Sequence, residues 1–552
     1  MVVTVHPLAT RAGLDALAAG GNAVDAAVAA ALMLGVVDGH NSGIGGGCFL
    51  LMRTAGGQLL ALDGREMAPA AAGPELYLRD GKPDTRLSQT GPLAVGVPGS
   101  LAVFDEAVRR CGRLTLAAAL EAAADVAERG FPIDANYARK LRATAPLLRQ
   151  FPETARVLLK PDGSPLLEGD VLKQPDLART YRAIARHGVG WFYGGAFASA
   201  VESWMRAHGG VVTADDFARY VVKQRQPIVT TYRGVTVVGF PPPSSGGVHV
   251  AQLLNILEQF DVAGLHRRDE ATRVHVTAEA MRRVFADRAA YLGDSDFVPV
   301  PRGLLDKEYA RQLAAQIDLE RASAGVAAGQ PPDRGVFGDG AAEKHTTHIA
   351  AMDSDGNVVA ITTTVNTGFG SKVIVPGTGV ILNNQMDDFA LAPGVANAFG
   401  LVGQANNAVA PGKRPLSSMS PTLVFDGHGT DGPLRMTLGA AGGPRIISQV
   451  VLGIVHVVDL GDDLASAMRR PRLHHQGGTL WLERGIAPPW TDDLFTSLRR
   501  RGHELELSEP SGAMNAIARD ADGAWVGVAE PRLDGAAGWV DRPSTDAAKP
   551  RP

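Results

Sequence analysis

The strongest constraint on this chain is local. A loose run, Ala322–Lys344, ends abruptly at a β-hairpin. The run is rich in Gly, Ala and Pro, with turn signals at Pro331-Pro332-Asp333 and Gly338-Asp339-Gly340, and it reads as a flexible tether. Strand-like runs follow at Thr347–Met352 and Asn357–Val365, joined by Asp353-Ser354-Asp355-Gly356, a good hairpin turn. Between tether and hairpin stands Lys344-His345-Thr346-Thr347-His348. Two readings fit it. One is a surface loop entering a strand, with threonine favoured by β propensity. In the other the chain is cut before Thr346. The new α-amine, titrating near pH ~7.7–8, then serves as base for the hydroxyl of the same residue.

Length and composition narrow the class. A chain of 552 residues with 45% hydrophobic and 20% charged residues buries a substantial core, and length alone leaves open several domains or one large fold. The 65 glycines exceed the usual ~7% and sit in tight motifs rather than repeats, which argues for close backbone packing. A net charge of −4 argues against a general nucleic-acid or anionic-membrane partner. Two cysteines, Cys48 and Cys111, imply no disulfide framework, and Cys48, opening the apolar run CFLLM, reads as a buried structural thiol. No run of 18 apolar residues is present, so no membrane span is expected.

Along the chain, Thr10–Ala19 and Ala23–Leu34 read as helices split by Gly20-Gly21, with Asn22 as N-cap of the second. The glycines of Gly43–Gly47 lack the Gly-Lys-Ser/Thr of a phosphate loop and read as a tight turn before strand Cys48–Met52. A hairpin, Cys48–Arg53 and Gln58–Asp63, delivers Arg65 just past its end. Helices follow at Leu101–Arg110, Leu116–Glu128, Ala138–Arg149 and Leu177–His187. PPPSSGG at Pro241–Gly247 has no Gly-x-Ser-x-Gly elbow and reads as a structural turn. Val274–Leu292 reads as a long helix whose charges form a solvated face. Short strands are expected near Val373 and at Gly379–Leu382, a long loop at Ala390–Gly412, and helices at Leu464–Arg469 and Thr491–Arg501. Taken alone, Arg65 fits a solvated loop arginine, and Asn383–Asp388 an Asx-rich turn. His345 and His348 form a conceivable metal pair, but no third ligand lies near them in sequence.

Nine strings in one order carry a resemblance over about Val2 to Gly538. They are GGNAVDAAVA at Gly20–Ala29, GIGGGCF at Gly43–Phe49, GREMAP at Gly64–Pro69, PPPSSGG at Pro241–Gly247 and TTH at Thr346–His348. NNQMDDF at Asn383–Phe389, PLSSMSP at Pro415–Pro421, AGGPRI at Ala441–Ile446 and EPR at Glu530–Arg532 complete them. The chain resembles the γ-glutamyltranspeptidases, N-terminal-nucleophile hydrolases made as one precursor and cut in two. The resemblance implies an α+β fold, the four-layer αββα sandwich of that superfamily, with two antiparallel sheets between helical layers. It implies a large subunit 1–345, a small catalytic subunit 346–540 and a disordered tail 541–552.

The implied activity is self-cleavage before Thr346, then transfer of the γ-glutamyl group of glutathione or related compounds to water or to amino acids and peptides. The implied catalytic groups are Thr346, Thr364 to orient its amine, and the Gly442 and Gly443 N–H groups as oxyanion hole. Substrate-binding groups are Arg65, Ser417 and Ser418 for the α-carboxylate, and Asn366, Gln385 and Asp388 for the α-ammonium. Ala390–Gly412 resembles a lid, carrying Phe399 where some relatives have a tyrosine able to bond Asn366. No cofactor and no metal is implied. The partners are the γ-glutamyl substrate, its acceptor, and the two subunits for each other. The start MVVTVHPLAT enters the pattern at once, as in a cytosolic enzyme or a periplasmic or secreted one whose leader has been removed. Alternatives are a glutaryl-cephalosporin acylase or small-amide amidohydrolase of the same family, and a non-catalytic binding relative.

Overall fold

Strands buried on both faces set the architecture of the computed structural model, which describes residues 1–337, 347–392, 394–486, 488–510 and 512–541. In strand Gly47–Arg53 the alternation is plain. Cys48, Leu50 and Met52 point into one core, while Phe49 and Leu51 point into another. Strand Thr347–Met352 divides in the same way, Ile349 and Ala351 against Ala350 and Met352. A strand with period-two side chains and apolar residues on both sides must lie between two covering layers.

Among the described residues, one sheet has seven strands in the order Ala536–Gly538, Val2–Thr4, Thr347–Met352, Val358–Thr364, Gly47–Arg53, Leu59–Gly64 and Lys223–Arg225. A second has six, in the order Trp525–Val528, Ala513–Arg519, Leu434–Ala441, Thr422–Asp426, Val235–Gly239 and Ile228–Tyr232. Every pairing within both is antiparallel. Their facing sides enclose a narrow core in which Phe49 and Phe240 stack with ring centroids 4.1 Å apart. Helices Pro7–Ala18 and Ala23–Val37 cover the outer face of the first sheet. Helices Ser245–Leu257, Glu270–Tyr291 and Arg445–Val458 cover that of the second. The result is the αββα sandwich, and Cys48 is buried in it with its thiol pushed well up by that burial.

Local signals act as expected at several points. Asn22 caps helix Ala23–Val37, and Asp25 returns a carboxylate to the Asn22 N–H at 2.8 Å, a complete capping box. The Gly43–Gly47 turn passes so close to the hairpin end that a Cβ on Gly46 would sit 1.6 Å from the Thr364 carbonyl oxygen.

Three expectations are corrected. The charges of helix Glu270–Tyr291 are not a solvated face: Glu279, Arg282, Arg283, Asp287 and Arg288 are buried. The segment after helix Lys307–Ala314 crosses over them. Glu279 pairs with Arg282 at 2.9 Å and Arg283 at 2.8 Å and accepts from Ser323 Oγ at 2.6 Å. Asp287 accepts from the Gly329 N–H, Tyr309 Oη and Gln252 Nε2. These bonds also anchor the supposed tether, which is irregular but held as far as strand Val336–Phe337. The strands expected near Val373 and at Gly379–Leu382 reduce to one bridge, Ile374 to Ile381. The rest of the tether with His345 and Thr346, and the tail from 542, lie outside the described residues.

Candidate active site

The described chain resumes at Thr347, which pairs with Thr363 in the hairpin ladder, so Thr364 is the next position on the partner strand. Thr364 is fully buried, and its Oγ1 accepts from the Asn366 N–H at 2.8 Å. Asn366 has φ +79°, an uncommon conformation for a non-glycine residue and one that asparagine tolerates best. Its Nδ2 donates to the Asn384 carbonyl at 2.8 Å, while its buried Oδ1 has no hydrogen-bond partner among the described residues.

Arg65 is not a solvated loop arginine. The end of strand Leu59–Gly64 delivers it fully buried, with Nη2 2.9 Å from Asp388 Oδ2 and Nη1 3.1 Å from Glu66 Oε2. Its Nε donates to the Pro415 carbonyl at 3.3 Å. Two residues 323 positions apart thus form one buried ion pair. Burial pushes the Glu66 carboxyl up to about 8 against the opposing charge of Arg65. Asp388 ends a short 3₁₀ turn, Gln385–Asp388, and Gln385 Nε2 lies 3.5 Å from Asp388 Oδ2.

Asn383 positions that turn and was not singled out from the sequence as a functional residue. It donates to the carbonyls of Gly45 and Gly96 and accepts from the Gly96 and Gln385 N–H groups. A buried amide satisfied in this way ties the acidic turn to the glycine turn. Its place at the head of the NNQMDDF string that carries Gln385 and Asp388 was the available signal.

Ser417 and Ser418 are fully buried. They rest on the PPPSSGG turn: Ser417 N–H donates to the Pro243 carbonyl and Ser245 N–H to the Ser417 carbonyl, both at 2.7 Å. Ser245 Oγ lies 3.4 Å from Ser418 Oγ and accepts from Arg288 Nε at 3.1 Å. The turn read as structural is therefore the bed of the serine pair.

Gly442 and Gly443 link strand Leu434–Ala441 to helix Arg445–Val458 with φ of +125° and +63°. Such angles favour glycine and leave the backbone open to a reacting atom. Gly442 borders a cleft of about 720 Å³, as does Phe399, while Arg65 and Asp388 lie outside its lining. Segment 397–399 runs between the two: Asn397 Nδ2 lies 3.4 Å from Asp388 Oδ1, and Ala398 N–H donates to Asp387 Oδ2 at 2.9 Å.

Two more titratable groups flank the hairpin start. Thr347 Oγ1 donates to Asp38 Oδ2 at 2.7 Å, and burial raises the Asp38 carboxyl to about 7. Asp38 escaped the sequence reading, although it stands just before the glycine turn. His348 lies between the sheets, where burial lowers it to about 3 and keeps it neutral, and its ring occupies the space a Cβ on Gly439 would need.

Two antiparallel sheets between helical layers define the architecture of an N-terminal-nucleophile hydrolase. The family model for gamma-glutamyltranspeptidase matches residues 9–540, and the chain belongs to that family. It is 40% identical to the glutathione hydrolase proenzyme of Escherichia coli (strain K12), over 96% of this chain and 90% of that protein. It is equally 40% identical to the acylase ACY 1 proenzyme of Pseudomonas sp. (strain SE83), over 97% and 92%. Its fold is similar to the crystal structure of cephalosporin acylase from Bacillus halodurans, with a TM-score of 0.86 and 30% identity over 98% of this chain and 96% of that one.

Proposed function

We propose that the chain is a γ-glutamyltransferase and glutathione hydrolase that cuts itself between His345 and Thr346. The large part, 1–345, and the small part, 346–540, then act together. In the precursor, Thr346 Oγ attacks the His345 carbonyl carbon and the peptide nitrogen leaves, giving an ester. Water hydrolyses it to a His345 carboxylate and a free Thr346 amine. In turnover that amine takes the Oγ proton, and Oγ attacks the γ-carbonyl carbon of the donor. The N–H groups of Gly442 and Gly443 stabilise the tetrahedral oxyanion, and each such donor is typically worth ~10²–10³ in rate. The leaving amine departs with the proton. Water or an amino-acid amine then takes the γ-glutamyl group from Thr346, with Thr364 orienting the Thr346 amine.

The observation that carries the reading is the buried Arg65–Asp388 pair beside Gln385, next to Asn366, which is tied to the same turn through the Asn384 carbonyl and whose Oδ1 has no partner among the described residues. A substrate carrying both an α-carboxylate and an α-ammonium matches a permanent cation, an anion and a spare acceptor held together out of water. Ser417 and Ser418 add hydroxyls for the carboxylate, and the loop around Phe399 covers the pocket. Phe399 cannot bond Asn366 through a hydroxyl. Instead its backbone holds it, with the Phe399 carbonyl accepting from Gln476 Nε2 at 2.9 Å.

Intact mass and a denaturing gel of the wild type beside Thr346→Ala test the nucleophile. Two fragments are expected, the smaller beginning at Thr346, with the variant uncut and inactive; a variant that still cuts at this bond sinks the mechanism. The similarity to acylases motivates a second comparison, of γ-glutamyl with glutaryl anilide. A site built for a polar group rejects an analogue lacking it by up to ~10⁴. A strong γ-glutamyl preference is expected, and equal rates would favour the acylase reading.

A further inference from the structure

The cleft beside Gly442 has a lopsided charge. Helix Ala135–Leu148 gives it Asn136, Arg139 and Lys140, one face at i, i+3 and i+4 spacing. Opposite, the Arg445 guanidinium lies over the Trp481 ring. Glu506 is the carboxylate among the lining residues. Arg532, also in the wall, is taken by Glu483 and Glu530. Arg139 hydrogen-bonds Asn136 at 2.6 Å, and among the described residues neither Arg139 nor Lys140 forms an ion pair. Burial lowers the Lys140 ammonium, and the charge of Arg139 lowers it further. The carboxylate whose charge acts on it is Asp38, which is committed to Thr347 and Asn41 and is itself raised by burial. Arg139 is exposed and Lys140 half-buried beside it, with the charge of Asp38 as a partial offset, so an anion that reached both cations would relieve their mutual repulsion and the burial cost of Lys140.

We propose that this cleft is a leaving-group and acceptor subsite selective for groups bearing a carboxylate, with Arg139 and Lys140 as its specificity determinants. The proposal rests on the γ-glutamyl reading and deepens it. Arg65 and Asp388 lie behind segment 397–399, and the γ-glutamyl end belongs there. Gly442 opens on the cleft, so the other side of the scissile amide extends into it. A leaving dipeptide ending in a free carboxylate meets Arg139 and Lys140, and so does an incoming amino acid or peptide.

The test compares three donors with a common γ-glutamyl group: glutathione, glutathione amidated at its terminal carboxyl, and γ-glutamyl-p-nitroanilide. Wild-type enzyme and an Arg139→Gln/Lys140→Gln double variant are assayed for kcat/KM on each. A charge-assisted contact to the carboxylate is expected to favour glutathione over its amide about tenfold in the wild type. In the double variant that preference is lost while anilide turnover stays within about twofold, and Arg139→Lys/Lys140→Arg retains it. An unchanged glutathione-to-amide ratio in the double variant overturns the proposal, as does an equal loss on all three donors. If the wild type turns over none of them, the γ-glutamyl reading itself fails, and this one with it.

Discussion

At the scale of single residues, Asp38 ties the electrostatics of the fold to the reacting segment. Burial holds its carboxyl near 7 against an ordinary 3.8, with Asp134 raising it slightly and Lys140, Asn41 and Thr347 opposing. The folded chain therefore binds a proton at Asp38 that the unfolded chain has released between about pH 4 and 7. Stability from this group is present below pH 4 and is lost as pH rises through that window. Asp38→Asn keeps an acceptor for Thr347 Oγ1 and removes the titration. Melting temperatures from pH 4 to 8 should show the wild type falling relative to the variant, by an amount on the order of a few kcal/mol in stability. Parallel profiles would mean that Asp38 is ionised throughout. His348 acts in the opposite sense, because burial keeps it neutral in the fold while the unfolded chain protonates it below its ordinary 6.5, so its cost grows as pH falls; being common to wild type and variant, it cancels in the comparison.

At the scale of elements, helix Glu270–Tyr291 shows how a charged face becomes core. Glu279 pairs with two arginines at once, and Asp287 takes three donors, so the helix is held by its charges as well as by Val274, Met281 and Val284. Removing one partner of a buried pair is far more costly than the pair is stabilising, since it strands the other charge. Glu279→Gln should therefore cost about 3–5 kcal/mol, read as a lower urea midpoint at unchanged slope. A loss below about 1 kcal/mol, the range of exposed pairs, would show that water reaches the arginines. Arg288 extends this helix to Ser245 and so to the bed of Ser417 and Ser418, which makes the helix a support of the pocket as well as of the second sheet.

At the scale of the whole molecule, both sheets interleave strands from before and after Thr346. In the first, Val2–Thr4 lies between Ala536–Gly538 and Thr347–Met352, and Val358–Thr364 pairs with Gly47–Arg53. In the second, Val235–Gly239 pairs with Thr422–Asp426 along five residues. Cutting one bond leaves these ladders and the core between the sheets in place. Size exclusion with light scattering should give a native mass no smaller than the 57.8 kDa of the whole chain, from a sample that runs as two bands under denaturing conditions. Separate elution of two smaller species would show that the sheets do not bind the two parts together.

Much of this was legible in the residues. The strand opening at Cys48, the Asn22 cap and the Asp353–Gly356 hairpin turn are short-range chemistry, and the folded chain keeps them because each is satisfied within a few residues. The motif order identified the family, and with it the sandwich and the candidate residues. Which polar groups lose water was decided elsewhere. Periodicity reports how an element divides between apolar and polar sides, but not whether a distant segment then covers the polar side. Covering turned the charges of helix Glu270–Tyr291 inward, joined Arg65 to Asp388, set Asp38 against Thr347 and placed Ser245 beneath Ser418. Each of those contacts spans 40 to more than 300 residues or depends on a segment that does, and only the closed fold brings such groups within hydrogen-bonding distance.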